Sequence, residues 1–354
     1  MTHVEEKEEA KTFYFQWHFI ENCNLRCTHC YQHGYEFKDL EDDKIMEIAR
    51  ILDLTMEKWN RSGRISLTGG EPFLRKELLV ELLDFFENSP NFYWVGILTN
   101  GTLVDEAIAD RMKRFKKLKE IQVSIDGADA IAHDAIRGKG NFDKAVNAVK
   151  LLKREGFTVS IMFTLHKQNR DESLRIIDLA ENLGVDFLTV ERIVPDNEED
   201  IRTFYMEPGE LKETYEAIYR KKLGIEKRSN LKIRVSRPLW CLTGEGAGGF
   251  CPAGFTSLAI LHDGTILPCR RLELPLGNVL EDGLFKPWYT SEILWRMRDK
   301  TRLGGKCRGC EFLGKCGGCL AVAHKITGDF MGGDPQCWKD GETGKGNMDE
   351  IKEV

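Results

Sequence analysis

The chain has 354 residues, enough for one large α/β domain and a smaller one, and its 42% hydrophobic and 31% charged residues exclude a disordered or fibrous chain. A net charge of −6 with no Lys/Arg block gives no electrostatic ground for a nucleic-acid or anionic-membrane partner, and no apolar run is long enough to cross a bilayer. The opening "MTHVEEKEEAKT" carries no export signal, so a reducing, cytoplasmic location is expected, where an odd eleven cysteines point to metal or catalysis before disulfides.

Taken in order, residues 13–192 alternate β-rich runs with amphipathic stretches. Strands are expected at 13–19, 64–68, 93–99, 120–126, 158–165 and 187–192, and helices at 43–59, 76–87, 105–115, 142–155 and 172–183, followed by one at 208–222. Near-continuous apolar strands separated by helices imply a parallel sheet buried on both faces. Six such units fit an incomplete barrel. In this architecture the loops after the strands carry the chemistry. Strand one runs into "ENCNLRCTHCY", strand two into "GGEP", strand three into "NGT", strand four ends "SIDG", and strand six ends at Glu191 and Arg192. After about residue 225 the rhythm gives way to Gly- and Cys-rich sequence, with a hairpin expected within 256–269 around Asp263-Gly264. "GKG" at 138–140 and "TGEGAGGF" at 243–250 lack the setting of a phosphate loop and read as connections.

Cys23, Cys27 and Cys30 supply three soft thiolates from one loop, which suits iron–sulfur ligation and leaves one metal of a four-iron cube without a protein ligand. A three-Cys zinc site completed by His18, His29 or His33 is the alternative. The other eight cysteines, Cys241, Cys251, Cys269, Cys307, Cys310, Cys316, Cys319 and Cys337, close two four-ligand sites. Three clusters of four ligands need twelve, and the one missing ligand falls in the first loop. The run Cys307 to Cys319 alone is equally compatible with a zinc knuckle.

These motifs resemble the radical S-adenosylmethionine (radical SAM) superfamily with a C-terminal SPASM domain. The C-x3-C-x2-C hallmark stands at Cys23, Cys27 and Cys30, and "GGEP" stands at Gly69, Gly70, Glu71 and Pro72. The SPASM pattern matches Cys251, Gly264 and Cys269, then Cys307, Cys310, Cys316, Cys319 and Cys337, departing only in the two residues, not three, between Cys316 and Cys319. The resemblance implies a partial (β/α)6 TIM-like barrel over 13–225, a SPASM domain over 226–340, and flexible termini at 1–12 and 341–354. It implies a [4Fe-4S] cluster whose open iron binds S-adenosylmethionine, and two auxiliary [4Fe-4S] clusters, one on Cys241, Cys251, Cys269 and Cys319, the other on Cys307, Cys310, Cys316 and Cys337.

The implied activity is reductive cleavage of S-adenosylmethionine to a 5′-deoxyadenosyl radical that abstracts a substrate hydrogen atom. Peptide or protein maturation by thioether or crosslink formation leads, with maturation of a haem-like tetrapyrrole or other small cofactor as the alternative. A flavodoxin- or ferredoxin-type electron donor is expected. Only 22 residues precede Cys23, too few for a leader-binding domain, so a peptide would be recognised by another partner or surface. A non-enzymatic iron–sulfur carrier or zinc-stabilised scaffold would explain the cysteines but not the strand ends. Cofactor contacts are expected from Gly69 and Gly70, whose lack of Cβ lets the backbone approach the methionine amino group, and from Glu71 and Pro72. Ser124 and Asp126, placed on one face of strand four, suit ribose or carboxylate contacts. Arg137 resembles the arginine facing the cofactor carboxylate. Asn100 and Thr102 either touch cofactor or close a turn, and His29 either stacks on adenine or lies exposed. Glu191, Arg192 and His166 are substrate candidates or structural.

Overall fold

Strand β1 (Thr12–Ile20) shows why the sheet forms where it does: Phe13, Phe15, Trp17 and Phe19 face one side fully buried, while Tyr14 and Gln16 are half-buried on the other and His18 is fully buried. β-branched and aromatic residues on both faces demand cover on both faces. The computed structural model describes residues 12–32, 39–245 and 247–339. His33 and the expected flexible termini, apart from Thr12, lie outside the described residues.

The chain then alternates as the sequence pattern requires: α1 (Asp42–Trp59), β2 (Ser62–Gly69), α2 (Lys76–Asn88), β3 (Phe92–Thr99), α3 (Glu106–Met112), β4 (Leu118–Ser124), α4 (Ala130–Arg137), α5 (Asn141–Arg154), β5 (Val159–Leu165), α6 (Arg175–Asn182) and β6 (Phe187–Arg192). α7 (Glu198–Phe204), α8 (Pro208–Ile225) and a short strand β7 (Lys232–Arg234) follow. Asp105 caps α3, its carboxylate accepting the Ile108 amide at 2.8 Å, and the helix stops at Met112, three residues short of the end its apolar spacing suggests. The expected helix at 172–183 is split, with a 3₁₀ turn over Lys167–Glu172 before α6.

Helix α4 was not expected from the sequence. Asp129 caps it by accepting the Ala132 amide at 3.0 Å, and Gly138, at φ +91°, ends it directly after Arg137. The Asp129 cap was the legible signal.

Six parallel strands pair in order from β1 to β6, and the sheet runs on past residue 225 at both edges. β7 adds a seventh parallel strand beside β6. On the other edge β8 (Ser257–Ile260) pairs in parallel with β1, Tyr14 opposite Ser257 and Trp17 opposite Ile260. β8 and β9 (Thr265–Leu267) form the expected antiparallel hairpin, with Gly264 at φ +86° in its turn, and β10 (Gly277–Asn278) closes the edge. The resulting ten-stranded sheet is an open barrel. The Cys-rich region is therefore built onto the β1 edge, next to the first cysteine loop. α9 (Val279–Asp282), α10 (Phe285–Thr290), α11 (Glu292–Arg298) and α12 (Leu320–Thr327) complete it. Tyr215 of α8 stacks on Trp240 at 3.7 Å with a 4° interplanar angle, and Phe13 meets Trp288 edge-on at 5.0 Å, so aromatic contacts join the two regions. No helix among the described residues is long and apolar enough to cross a membrane.

Candidate active site

The cysteine loop leaves β1 at Ile20 and is held by donors aimed at sulfur. The amides of Leu25 and Gln32 point at Cys23 Sγ and Cys30 Sγ, each at 3.4 Å. Asn100 Nδ2 reaches Cys23 Sγ at 3.8 Å, and Arg137 Nη1 reaches Cys27 Sγ at 3.8 Å. Each of the three sulfurs thus has an N–H donor, the environment of a ligating thiolate. Burial pushes the Cys23 thiol up to about 11 and raises Cys27 as well. Three neighbouring thiolates in this setting need a cationic partner, which an iron–sulfur cluster supplies. The donor set fits the cluster that the motif implies.

The turn after β2 holds that loop in place. A Cβ on Gly70 would lie 2.1 Å from the Asn22 carbonyl oxygen, and one on Gly69, at φ +141°, would lie 1.9 Å from that of Ile20. The two glycines therefore accommodate the chain's own cysteine loop. The Gly70 and Glu71 amides donate to Ile20 O and Asn22 O, both at 2.9 Å. Glu71 is fully buried, and its carboxylate accepts from the Phe73 amide at 3.0 Å, the Thr99 hydroxyl at 2.7 Å and the Asn100 amide at 2.8 Å. Burial pushes Glu71 up to about 7, against those three donors, which favour the carboxylate. Pro72 opens a 3₁₀ turn with Glu71 as its cap. Glu71 thereby fixes Asn100, which also bonds Asn24 at 3.0 Å, while Thr102 donates to Asn100 Oδ1 at 2.7 Å. Asn100 and Thr102 close the turn and clamp the loop at once.

Strand β4 ends at Ser124, and Asp126 lies beyond it. Ser124 is half-buried, whereas Asp126 is fully buried and its carboxylate is already engaged. Oδ2 accepts from Arg137 Nε at 2.5 Å and contacts His29 Nε2 at 2.8 Å, and Oδ1 accepts the Thr164 amide at 2.8 Å. Asp126 thus positions Arg137, which in turn meets Cys27. Burial alone would raise Asp126, but Arg137 and His29 hold it well below the usual carboxylate range. His29 is buried, not exposed, and lies 5.8 Å from His166 in an edge-on arrangement. Glu191 pairs with Arg237 at 2.8 Å, and Arg192 bonds Asp334 and Gln336, so both tie β6 to the Cys-rich region.

There Cys307, Cys310, Cys316 and Cys337 line one small cavity of about 20 Å³, together with Leu239 and Phe312. The Leu239 and Gly318 amides both point at Cys316 Sγ, at 3.4 Å, and Leu239 adopts φ +76° to do so. Cys251, Cys269 and Cys319 form a second neighbourhood beside Arg237 and Arg192; burial pushes Cys319 up to about 12. Cys241 lies against Cys316, whose thiol is lowered by that contact and by the two amides, and Cys337 is its other cysteine neighbour, so the structure sets Cys241 beside the first neighbourhood, whereas the resemblance implied a place with Cys251, Cys269 and Cys319. Among the described residues no three His, Cys, Asp or Glu side chains converge as a single-ion site requires.

Residues 17–180 match the model of the radical SAM superfamily, and residues 251–311 match the SPASM iron–sulfur cluster-binding domain. The chain is 30% identical to an AdoMet-dependent heme synthase of Methanosarcina barkeri over 91% of its own length and 95% of the relative's. It is 27% identical to the mycofactocin maturase MftC of Mycolicibacterium smegmatis, over 91% of this chain and 81% of that one. In fold it resembles anSMEcpe solved with bound AdoMet and a peptide, with a TM-score of 0.75 at 18% identity, covering 92% of this chain and 94% of that chain. The cysteine loop at the end of β1, the "GGEP" turn beneath it and the Cys-rich extension of the same sheet accord with these matches: the chain is an enzyme of the radical SAM superfamily with a C-terminal SPASM domain.

Proposed function

We propose that this enzyme acts on a haem-type tetrapyrrole by abstracting a substrate hydrogen atom. The observation that carries the reading is the 30% identity to a heme synthase, which extends over nearly all of both chains. When bound, a [4Fe-4S] cluster and S-adenosylmethionine supply one-electron cleavage of the sulfonium carbon–sulfur bond and the 5′-deoxyadenosyl radical that takes the hydrogen atom. Cys23, Cys27 and Cys30 would hold that cluster. Asn100 and Arg137 set the field at its sulfurs, Asp126 fixes Arg137, and Gly69, Gly70, Glu71 and Pro72 fold the loop against the strand end. Two auxiliary clusters would be held by Cys307, Cys310, Cys316 and Cys337 and by Cys251, Cys269 and Cys319 with Cys241 as the fourth ligand that the resemblance implies, and a small flavodoxin- or ferredoxin-type protein would supply electrons. The site lies within the cytoplasm on this reading.

Peptide maturation is the second reading, favoured by the likeness to mycofactocin maturase. The two separate in one assay. The anaerobically reconstituted enzyme is given reductant and S-adenosylmethionine with either an iron porphyrin bearing propionates or a candidate peptide, and 5′-deoxyadenosine is quantified. Stimulation by the porphyrin supports the first reading; stimulation by the peptide alone rejects it.

A further inference from the structure

Where β1 leaves the sheet beside the β8–β9 hairpin, a basic and aromatic corner borders the catalytic loop. Tyr31 directly follows Cys30, and its ring is faced by two guanidinium groups, Arg271 Cζ at 3.9 Å and Arg270 Cζ at 4.2 Å from the centroid. The acids of this corner are already matched. Glu273 accepts from Arg270 at 2.9 Å and from Lys325 at 2.9 Å. Glu21 takes Gln32 at 2.9 Å and lies 3.3 Å from His262. Among the described residues no carboxylate pairs with Arg271, and Arg270 Nε is buried without an acceptor.

His18, on β1 and 6.2 Å from Tyr31, is fully buried with both ring nitrogens lacking a partner. The charged groups acting on it are Arg270, Arg271 and His262, all of one sign. Lys325 is taken by Asp196 as well, so what the corner leaves open is the half-buried Arg271 and the buried, unpartnered nitrogens of Arg270 and His18, and buried hydrogen-bonding capacity of this kind is costly unless an acceptor completes it. A planar guanidinium fork matches a carboxylate in two parallel bonds.

We infer that this corner anchors a carboxylate of the substrate, with Arg271 as the principal donor and Arg270 and His18 as positioning residues. The inference rests on the tetrapyrrole reading, because propionate carboxylates are what a haem-type macrocycle presents. It also places the macrocycle beside Tyr31, one residue from the cluster loop, on the edge where the Cys-rich region joins the sheet.

The test is an anaerobic titration of the reconstituted holoenzyme with protoporphyrin IX and with its dimethyl ester, read by porphyrin absorbance, with iron content as the folding control. Wild type should bind the free acid about tenfold or more tighter than the ester, the factor expected of a charge-assisted hydrogen bond. Arg271→Gln should lose about that factor for the acid while its affinity for the ester stays put, and Arg271→Lys should recover part of the loss. Equal binding of acid and ester by wild type, or unchanged acid binding by Arg271→Gln, overturns the anchor and leaves the tetrapyrrole reading standing. Failure of wild type to bind either porphyrin, with S-adenosylmethionine cleavage intact, overturns both.

Discussion

Replacing Asp126 with Asn tests the arrangement around Arg137. The substitution keeps the shape and the acceptor for the Thr164 amide but removes the charge that pairs with Arg137 and His29. Asp126 is fully buried and Arg137 nearly so, so the variant strips a buried cation of its carboxylate partner. Breaking such a pair costs about 3–5 kcal/mol. Arg137→Met alone should cost a similar amount by stranding the carboxylate. The double variant should cost less than the sum, with a coupling of about 2 kcal/mol, because no lone charge remains. The carboxylate is held below its usual range, so its contribution is fully present above its ordinary pKa of 3.8 and fades as pH falls below it. Anaerobic urea unfolding of the holoenzyme, followed by circular dichroism at pH 7, gives the stabilities, and 5′-deoxyadenosine formation gives the function. Since Arg137 reaches Cys27 Sγ, both single variants should also lose S-adenosylmethionine cleavage. An Asp126→Asn enzyme within about 0.5 kcal/mol of wild type, a value typical of innocuous surface changes, would refute this reasoning.

Other predictions follow from the same geometry. Gly70→Ala drives a Cβ into the Asn22 carbonyl and should lower iron content by about one four-iron cluster, whereas Gly224→Ala on α8, with open space around it, should stabilise by about 0.5–1 kcal/mol; iron analysis and unfolding midpoints check both. Burial lowers His166 to about 4, so the unfolded chain binds a proton that the folded chain refuses, and stability rises with pH between about 4 and 6.5. His166→Leu should remove about one proton's share of that slope, read as the difference between the two pH–stability curves. Trp240→Ala removes a fully buried ring stacked on Tyr215 and should cost about 3–5 kcal/mol in the urea midpoint, with the Cys-rich region failing first.

Much of this was legible in the sequence because it is local. Strand order through β6, the cysteine loop, the "GGEP" turn and the hairpin at Gly264 are each written in a few consecutive residues. What escaped depends on contacts between distant segments. β8 docking beside β1 requires register across more than two hundred residues, and β7 is too short to show a period. Asp126 was flagged by strand periodicity, but the chain leaves the sheet at Ser124 and turns the carboxylate toward α4, a helix marked only by its Asp129 cap. Arg137 was legible through the family resemblance, yet its tie to Cys27 was not. Glu71 was legible as part of a motif, while its grip on Asn100 needed the fold. Arg271 and Tyr31 carry no short motif, and only the sheet edge brings them together.

The most direct test of the central claim is the iron and nucleoside content of wild type against Cys23→Ala, reconstituted anaerobically and then given reductant and S-adenosylmethionine. The account predicts about 12 irons per wild-type chain with 5′-deoxyadenosine formed, and about 8 irons with none formed for the variant. A Cys23→Ala enzyme that still produces the nucleoside, or a wild type that produces none while fully loaded with iron, would contradict it.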